Sequence, residues 1–288
     1  MIDLFKEALA DSALDTIKLF PFLLITYIIM EYLEHKTQDH TTRILATAKG
    51  GAPLLGSALG IVPQCGFSAA AASLYSGGVI SLGTMLAVFL STSDEMLPIF
   101  ISQAVPAATV VRILLAKAVI GGISGLGIDI ILRQTGYKHK TEKHIHDLCE
   151  QERCGCHDKK ADIVRSALIH TLHILLFIFA VSFLIALLIE GAGEEAIAGF
   201  LAGHTLPGIL IAALIGLIPN CAASVTLTQL YLRGLLGFEQ LMAGLLVGAG
   251  IGLLVLFRTN RHLLNNIKIA ALLYCLGAGW GLLIHFVI

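Results

Sequence analysis

Gly60-Ile61-Val62-Pro63-Gln64-Cys65 is followed by Ser68, Leu74, Tyr75 and Gly78. Gly216-Leu217-Ile218-Pro219-Asn220-Cys221 is followed by Ser224, Leu230, Tyr231 and Gly234. Each residue of the first set lies 156 positions before its counterpart, without a gap, and seven of the 19 positions in 60–78 and 216–234 are identical. Both stretches are apolar and both are interrupted at the same place by proline. Matching interruptions in two halves of an apolar chain are the best sequence pointer to a transporter's binding site. Here each interruption carries a side-chain amide and a cysteine.

The rest of the chain obeys the same offset. Glu34 pairs with Glu190, Arg112 with Lys268, Gly121 with Gly277 and Gly125 with Gly281. The repeat unit therefore reads as roughly 17–132 and 173–288, joined by a polar linker. Composition sets the class: 56% of the 288 residues are hydrophobic, 14% are charged and mean hydropathy is +0.84. Soluble domains carry about 25% charged residues, so this is an all-α integral membrane protein. The net charge of -1 says nothing about partners. No basic patch with interleaved aromatics suggests nucleic acid. No Walker loop, dinucleotide fingerprint or nucleophile elbow is present, so an ATP-driven pump or an enzyme is not the expectation, and no tightly bound cofactor is expected. The start, Met1-Ile2-Asp3-Leu4-Phe5-Lys6-Glu7, lacks the basic region and cleavage site of a signal peptide. Residues 1–16 read as a short amphipathic segment at the bilayer interface, with a solvated lead-in to the first span as the alternative.

About 20 apolar residues cross a bilayer as a helix. Long candidates are 17–34, 81–101, 109–132, 164–190, 238–257 and 266–286. The two Pro-x-Cys regions, 44–62 with 65–79 and 203–218 with 221–235, add either two spans each, giving about ten, or one re-entrant hairpin each. In both cases each half holds an odd number of crossings. The halves are then expected to insert in opposite senses, as two inverted five-segment repeats. Lys and Arg concentrate on one side, with 14 there, including Lys36, Arg43, Lys138, Lys159, Arg258 and Arg261, against Lys6, Lys18, Arg112 and Arg233 on the other. The positive-inside rule places the 133–163 loop in the cytoplasm and both termini outside. The chain thus divides into 1–16, a first transmembrane repeat 17–132, the loop 133–163 and a second repeat 164–288. The small-residue spacings Gly244/Gly248/Gly252, Gly121/Gly125 and Gly277/Gly281 are expected to serve close helix packing.

Three constellations could carry chemistry. At the Pro-x-Cys breaks, helices restarting after Pro63 and Pro219 present free N–H groups. The carbonyls that end the preceding half-helices suit a cation. Gln64 and Asn220 supply donors and acceptors, and Cys65 and Cys221 supply soft sulfur for thiophilic ions. Alternatively, these cysteines are merely small residues packed in a tight break. The second constellation is Ser91-Thr92-Ser93-Asp94-Glu95, inside an apolar segment. Ionised groups at mid-depth cost about 2.5–3.5 kcal/mol or more, so Asp94 and Glu95 read as cation ligands or proton carriers. The alternative is a structural pair with Arg112 or Lys117. The matching stretch of the second half, Val247-Gly248-Ala249-Gly250-Ile251-Gly252, is apolar. The third is the loop set His139, His144, His146, Cys149, Cys154, Cys156 and His157. Imidazole and thiolate hold Zn, Cu and Cd, so His144, His146, Cys149, Cys154, Cys156 and His157 form a candidate metal trap. Its spacing is not that of a zinc finger, and a solvated linker is the alternative. His170 and His173 could relay ions from it, although interfacial histidines are the simpler reading.

With Pro-x-Cys repeated, Ser-Thr-Ser-Asp-Glu in one half and a His/Cys-rich central loop, the chain resembles the ten-transmembrane heavy-metal exporters, a family whose members are labelled arsenic efflux protein or manganese transporter. The resemblance runs over essentially the whole chain. It implies a prokaryotic inner-membrane exporter and carries substrate contact onto Pro63, Gln64, Cys65, Ser91, Ser93, Asp94, Glu95, Pro219, Asn220 and Cys221. The two labels differ in chemistry, since manganese prefers oxygen ligands and trivalent arsenic prefers thiolates. The chain carries both.

The expectation is a secondary transporter exporting a metal or metalloid ion (manganese, a zinc-like ion or arsenite), with Asp94 and Glu95 exchanging it for H⁺. Its partners would be the lipid bilayer and the small ion, and the reading admits a homodimer. The runner-up is a transporter of a small organic or inorganic anion bound at half-helix N-termini, with Arg112 and Lys268 as counter-charges. A third possibility is a membrane metal sensor or enzyme using His170 and His173.

Overall fold

The computed structural model describes residues 51–135 and 205–287, apart from 63, 64, 94, 95 and 261, together with scattered helical positions within 9–28 and 168–183. The described elements are all helices. The first half contains α1 (Ala52–Gly60), α2 (Cys65–Ser76), α3 (Leu82–Ser91), α4 (Met96–Ser102) and α5 (Ala107–Gln134). The second contains α6 (Thr205–Gly216), α7 (Cys221–Leu232), α8 (Phe238–Val247), α9 (Ile251–Thr259) and α10 (Leu263–Val287). Both ends of α2 and α3 recur 156 residues later in α7 and α8. Segments 1–16 and 133–163, and most of the expected spans 17–34 and 164–190, lie outside the described residues.

Local chemistry accounts for the shared boundaries. Proline opens α1 in its first turn, where a missing N–H costs nothing. Helices α2 and α7 both end on a Schellman turn. Gly78 (φ 73°) donates to the Tyr75 carbonyl at 2.9 Å and Val79 to Leu74 at 2.8 Å; Gly234 (φ 74°) donates to Tyr231 and Leu235 to Leu230, both at 2.9 Å. The left-handed backbone there favours glycine. Ser81 caps α3, its Oγ accepting from the Thr84 N–H at 3.1 Å. Asp129 of α5 secures the same end, accepting from Ser81 Oγ at 2.6 Å and from the Gly83 N–H at 3.0 Å. At the start of α8 this role falls to Gln240, whose Oε1 accepts from the Gly237 N–H at 2.7 Å.

Among the described residues, three helical stretches are long and apolar enough to cross a membrane: Ala107–Gln134 and Leu263–Val287 as single helices, and Phe238–Thr259 as α8 and α9 taken together. The first and last agree with the expected spans 109–132 and 266–286. The spans expected to run unbroken over 81–101 and 238–257 do not. The first stops at Ser91 and restarts at Met96; the second stops at Val247 and restarts at Ile251. Gly248 and Gly250 are therefore not packing residues in a continuous helix but the break itself, with Gly250 at φ 51°, ψ -136°. An apolar break looks like an apolar helix to a hydropathy window, because half-helices of 10 and 9 residues sum to a membrane-length stretch.

Helices α1, α3 and α5 form one bundle, and α6, α8 and α10 form its counterpart. Equivalent glycines allow the approach. A Cβ at Gly121 would stand 2.8 Å from the Ala87 carbonyl, and one at Gly277 would stand 3.1 Å from that of Ala243. Between the bundles the halves exchange helices: α2 of the first packs on α9 of the second, and α7 of the second on α4 of the first. Trp280 Nε1 donates to Oγ of Ser124, its own counterpart 156 residues earlier, at 2.9 Å. Helices α3 and α8 touch at the centre, and Gly83–Ser91 and Gln240–Val247 are buried on every side. On α5 the exposed residues Val111, Leu115, Val119 and Ile123 make a stripe at i, i+4 spacing, an apolar outer face suited to lipid.

Candidate functional site

Four helix breaks meet in the interior. Gly60, the last residue of α1, lies against the end of α3: a Cβ there would stand 2.8 Å from the Val88 carbonyl and 3.1 Å from Ser91 Cβ. The C-terminal ends of α1 and α3 therefore adjoin each other. In the second half Gly216 closes on Gly244, where an added Cβ would stand 2.9 Å from the carbonyl carbon. This sets the break at 217–220 beside the one at 248–250. The halves are joined at the same place. A Cβ on Gly252 of the second half would stand 2.8 Å from both Ser68 Cβ and Phe89 Cε1 of the first; within the second half, Gly248 lies beside Ser224. The glycines at 60, 216 and 252 let the broken ends touch, since each missing methyl leaves room for a neighbouring helix.

Each break exposes polar backbone. The last carbonyls of α3 and α8 and the first N–H groups of α2 and α7 have no partner within their own helices. Several hydroxyls turn back onto the chain. Ser91 Oγ donates to the Ala87 carbonyl at 2.8 Å, Thr92 Oγ1 to Val88 at 2.7 Å and Ser93 Oγ to the Ser91 carbonyl at 3.2 Å. All three side chains are at most 2% exposed. Their oxygens keep lone pairs for a cation, and irregular polar backbone at this depth is tolerated where it lines a cavity or is buried in protein.

Lys117 of α5 is 0% exposed. Its ammonium donates to the carbonyl of Thr92, just past the end of α3, and to that of Leu245 in the last turn of α8 at 2.8 Å. One cation thus bridges the carbonyl-rich ends of two half-helices, one from each repeat, and the negative ends of helix dipoles favour it there. Its counterpart is Leu273, also fully buried, so the charge belongs to one half only. Arg112 and Lys268, in contrast, are exposed. Neither can act as the internal counter-charge expected for an anion site, because each lies on an outward face of the first turns of α5 and α10.

A family model described as "Putative, 10TM heavy-metal exporter" matches residues 1–198, more than half of the chain. The chain belongs to this family. It is a multi-pass membrane protein of a family described as exporters of heavy metals. The match covers the first repeat, the central loop and the start of the second repeat. No curated protein and no solved structure matches the chain.

Of the residues singled out in this heavy-metal exporter family member, Ser91 and Ser93 fall at the meeting point. Asn220 is 8% exposed and its carbonyl accepts from the Ala223 N–H at 3.3 Å as α7 begins; Pro219 is half-buried in the turn before it. Cys65 and Cys221 are the first residues of α2 and α7, so their backbones stand at the breaks. Pro63, Gln64, Asp94 and Glu95 lie outside the described residues, as do His139, His144, His146, Cys149, Cys154, Cys156, His157 and His170. His173 is exposed. Among the described residues no group of three His, Cys, Asp or Glu side chains could hold a metal ion.

Sequence reasoning treated Lys117 only as a structural partner for the acids and gave Ser68 and Ser224 no role. The signal for Lys117 was present: an ionisable residue within a span is a functional-site candidate by default. Ser68 and Ser224 follow Cys65 and Cys221 by three residues on their helices, which puts them on one face at the meeting point.

Proposed function

We propose that this protein is a secondary transporter that exports a metal or metalloid ion across the inner membrane in exchange for protons, with its halves inserted as inverted repeats. The observation that carries the reading is the convergence of four helix breaks, two from each half, on a buried core crossed by Lys117. A continuous apolar bundle would be more stable. Breaks at that depth forgo helical hydrogen bonds, and their value lies in offering carbonyls and N–H groups to a cargo. In this reading Gln64, Cys65, Asn220 and Cys221, with Ser91 and Ser93, contact the ion. Asp94 and Glu95 supply two negative charges against the single positive charge of Lys117, which leaves the site net anionic and suited to a cation. Protons arriving from outside would neutralise the carboxylates and release the ion, so the inward proton gradient drives export. The loop residues from His144 to His157 would collect the ion on the cytoplasmic side.

Uptake into inside-out vesicles under an imposed proton gradient tests this across Mn²⁺, Zn²⁺, Cd²⁺ and arsenite. Saturable uptake of one of them, lost with Asp94→Asn, is expected. Uptake by Asp94→Asn at the wild-type rate would remove the coupling role. Lys117 supports a second reading, in which the cargo is a small anion paired with its ammonium; anion flux without metal flux in the same vesicles would establish that instead.

A further inference from the structure

The halves meet through two interfaces that are counterparts of one another, α2 on α9 and α4 on α7. Shifting the residues of one by 156 positions generates the other, yet the two are packed differently. At α2–α9, Ser76 Oγ and Thr259 Oγ1 lie 2.7 Å apart in a hydrogen bond. Each hydroxyl also reaches a carbonyl of its own helix, Ser76 to Ala72 at 2.9 Å and Thr259 to Val255 at 2.8 Å. Deeper in the same interface Gly252 sits flush against Ser68. The counterparts of Ser76 and Thr259 are Leu232 and Gln103. No hydrogen bond can link these two, since leucine has no polar side-chain group. They line an open pocket of about 330 Å³ together with Ile99, Gln229 and Arg233. At about 30 Å³ of liquid volume per molecule, that space would hold on the order of ten waters, enough for a small hydrated ion. Beside the pocket, Phe100 (0% exposed) and Tyr231 approach with ring centroids 6.3 Å apart and pack α4 against α7.

We infer that the α4–α7 pocket is the open one of two access portals to the broken-helix site, and that the α2–α9 contact is the other portal in its closed form. This inference rests on the transporter reading above. A small hydrated ion enters or leaves through the pocket lined by Gln103, Gln229 and Arg233. In the opposite state Ser76 separates from Thr259, Gln103 closes on Leu232, and access switches faces. A chain whose halves are counterparts can hold one interface open and one closed and exchange them, the Ser76–Thr259 hydrogen bond given up at one being offset at the other by burial of Leu232. By the Lys and Arg distribution, the pocket at Arg233 faces outside.

Two cysteine pairs test the inference, each in full-length protein carrying a protease site in the 133–163 loop, so that a cross-link holds the nicked halves together. Ser76→Cys with Thr259→Cys should cross-link readily without cargo. Gln103→Cys with Leu232→Cys should cross-link slowly at first and faster under the ion gradient that supports flux. Each bond should abolish flux, and reduction should restore it, which also reports that the variant folds. As an independent measurement, labelling of Gln229→Cys by a membrane-impermeant maleimide from outside should fall about tenfold under that gradient. Flux that persists with both pairs bridged, or labelling unchanged by the gradient, would overturn the portals and leave the transporter standing. Absence of flux for every ion in the unsubstituted protein would overturn the transporter reading and the portals with it.

Discussion

Replacing Lys117 by Met separates transport from folding. The ammonium donates to the Thr92 and Leu245 carbonyls and is wholly removed from solvent. Hydrogen bonds to charged groups contribute about 1.5–3 kcal/mol each, so the bridge contributes about 3–6 kcal/mol to this arrangement. Methionine keeps most of the stem and its packing but donates nothing. Opposing the loss, withholding an ammonium from water costs several kcal/mol, and that penalty disappears with the charge. The two terms offset each other, leaving a net change in fold stability of about 3 kcal/mol or less in either direction. The bridge acts between the ends of α3 and α8, where the breaks meet. Taking about 3 kcal/mol from one of two alternating states changes their ratio by about a hundredfold. Lys117→Met should therefore fold and insert, unfold in detergent near the wild-type midpoint, and lose flux by about a hundredfold. Lys117→Arg keeps the charge but adds bulk where nothing is exposed, and should retain part of the flux. The assay is proteoliposome flux of Mn²⁺, Zn²⁺, Cd²⁺ and arsenite beside an unfolding curve. Flux of Lys117→Met within about twofold of wild type would refute the reasoning.

Two glycine substitutions should fail for different reasons. In Gly216→Ala the new methyl would run into the Gly244 backbone, an overpacking cost of about 1–3 kcal/mol that should appear as a lower unfolding midpoint together with lost flux. Gly234→Ala meets nothing within 4 Å, so only its left-handed backbone is strained, by about 1–2 kcal/mol, and flux should persist; equal damage from both would contradict the packing described. Cys65→Ala with Cys221→Ala tests the soft-ligand role: arsenite or Cd²⁺ resistance in cells should drop while Mn²⁺ export is spared, and unchanged resistance to all three would show that the sulfurs only fill space.

The repeat, the membrane class and the first pair of breaks were legible because each has a local cause. Proline lacks a donor wherever it stands, Gly78 and Gly234 adopt a backbone that disfavours other residues, and composition alone excludes a soluble core. Family membership rested on the same local patterns. The second pair of breaks was not legible at 248–250, where glycine reads as close packing in an unbroken span. It became visible only when α8 stopped at Val247. Lys117, Arg112 and Lys268 make the same point. All three are basic residues near apolar spans, and periodicity did not decide which one faces inward. The packing of α5 against α1 and α3 turned Lys117 to the centre, where it reaches the end of α8, while Arg112 on α5 and Lys268 on α10 stay outside.

The sequence by itself determined that this is a twice-built membrane protein interrupted at Pro63 and Pro219, since backbone chemistry and hydropathy act within a few residues and repeat wherever the sequence repeats. Only the tertiary structure decided that α2 and α7 are exchanged between the halves, that four breaks meet, and that one lysine crosses them. Those are contacts between residues far apart in the chain, 128 positions in the Lys117–Leu245 bridge and 183 in the Ser76–Thr259 hydrogen bond, and they depend on which faces of equally apolar helices pack together.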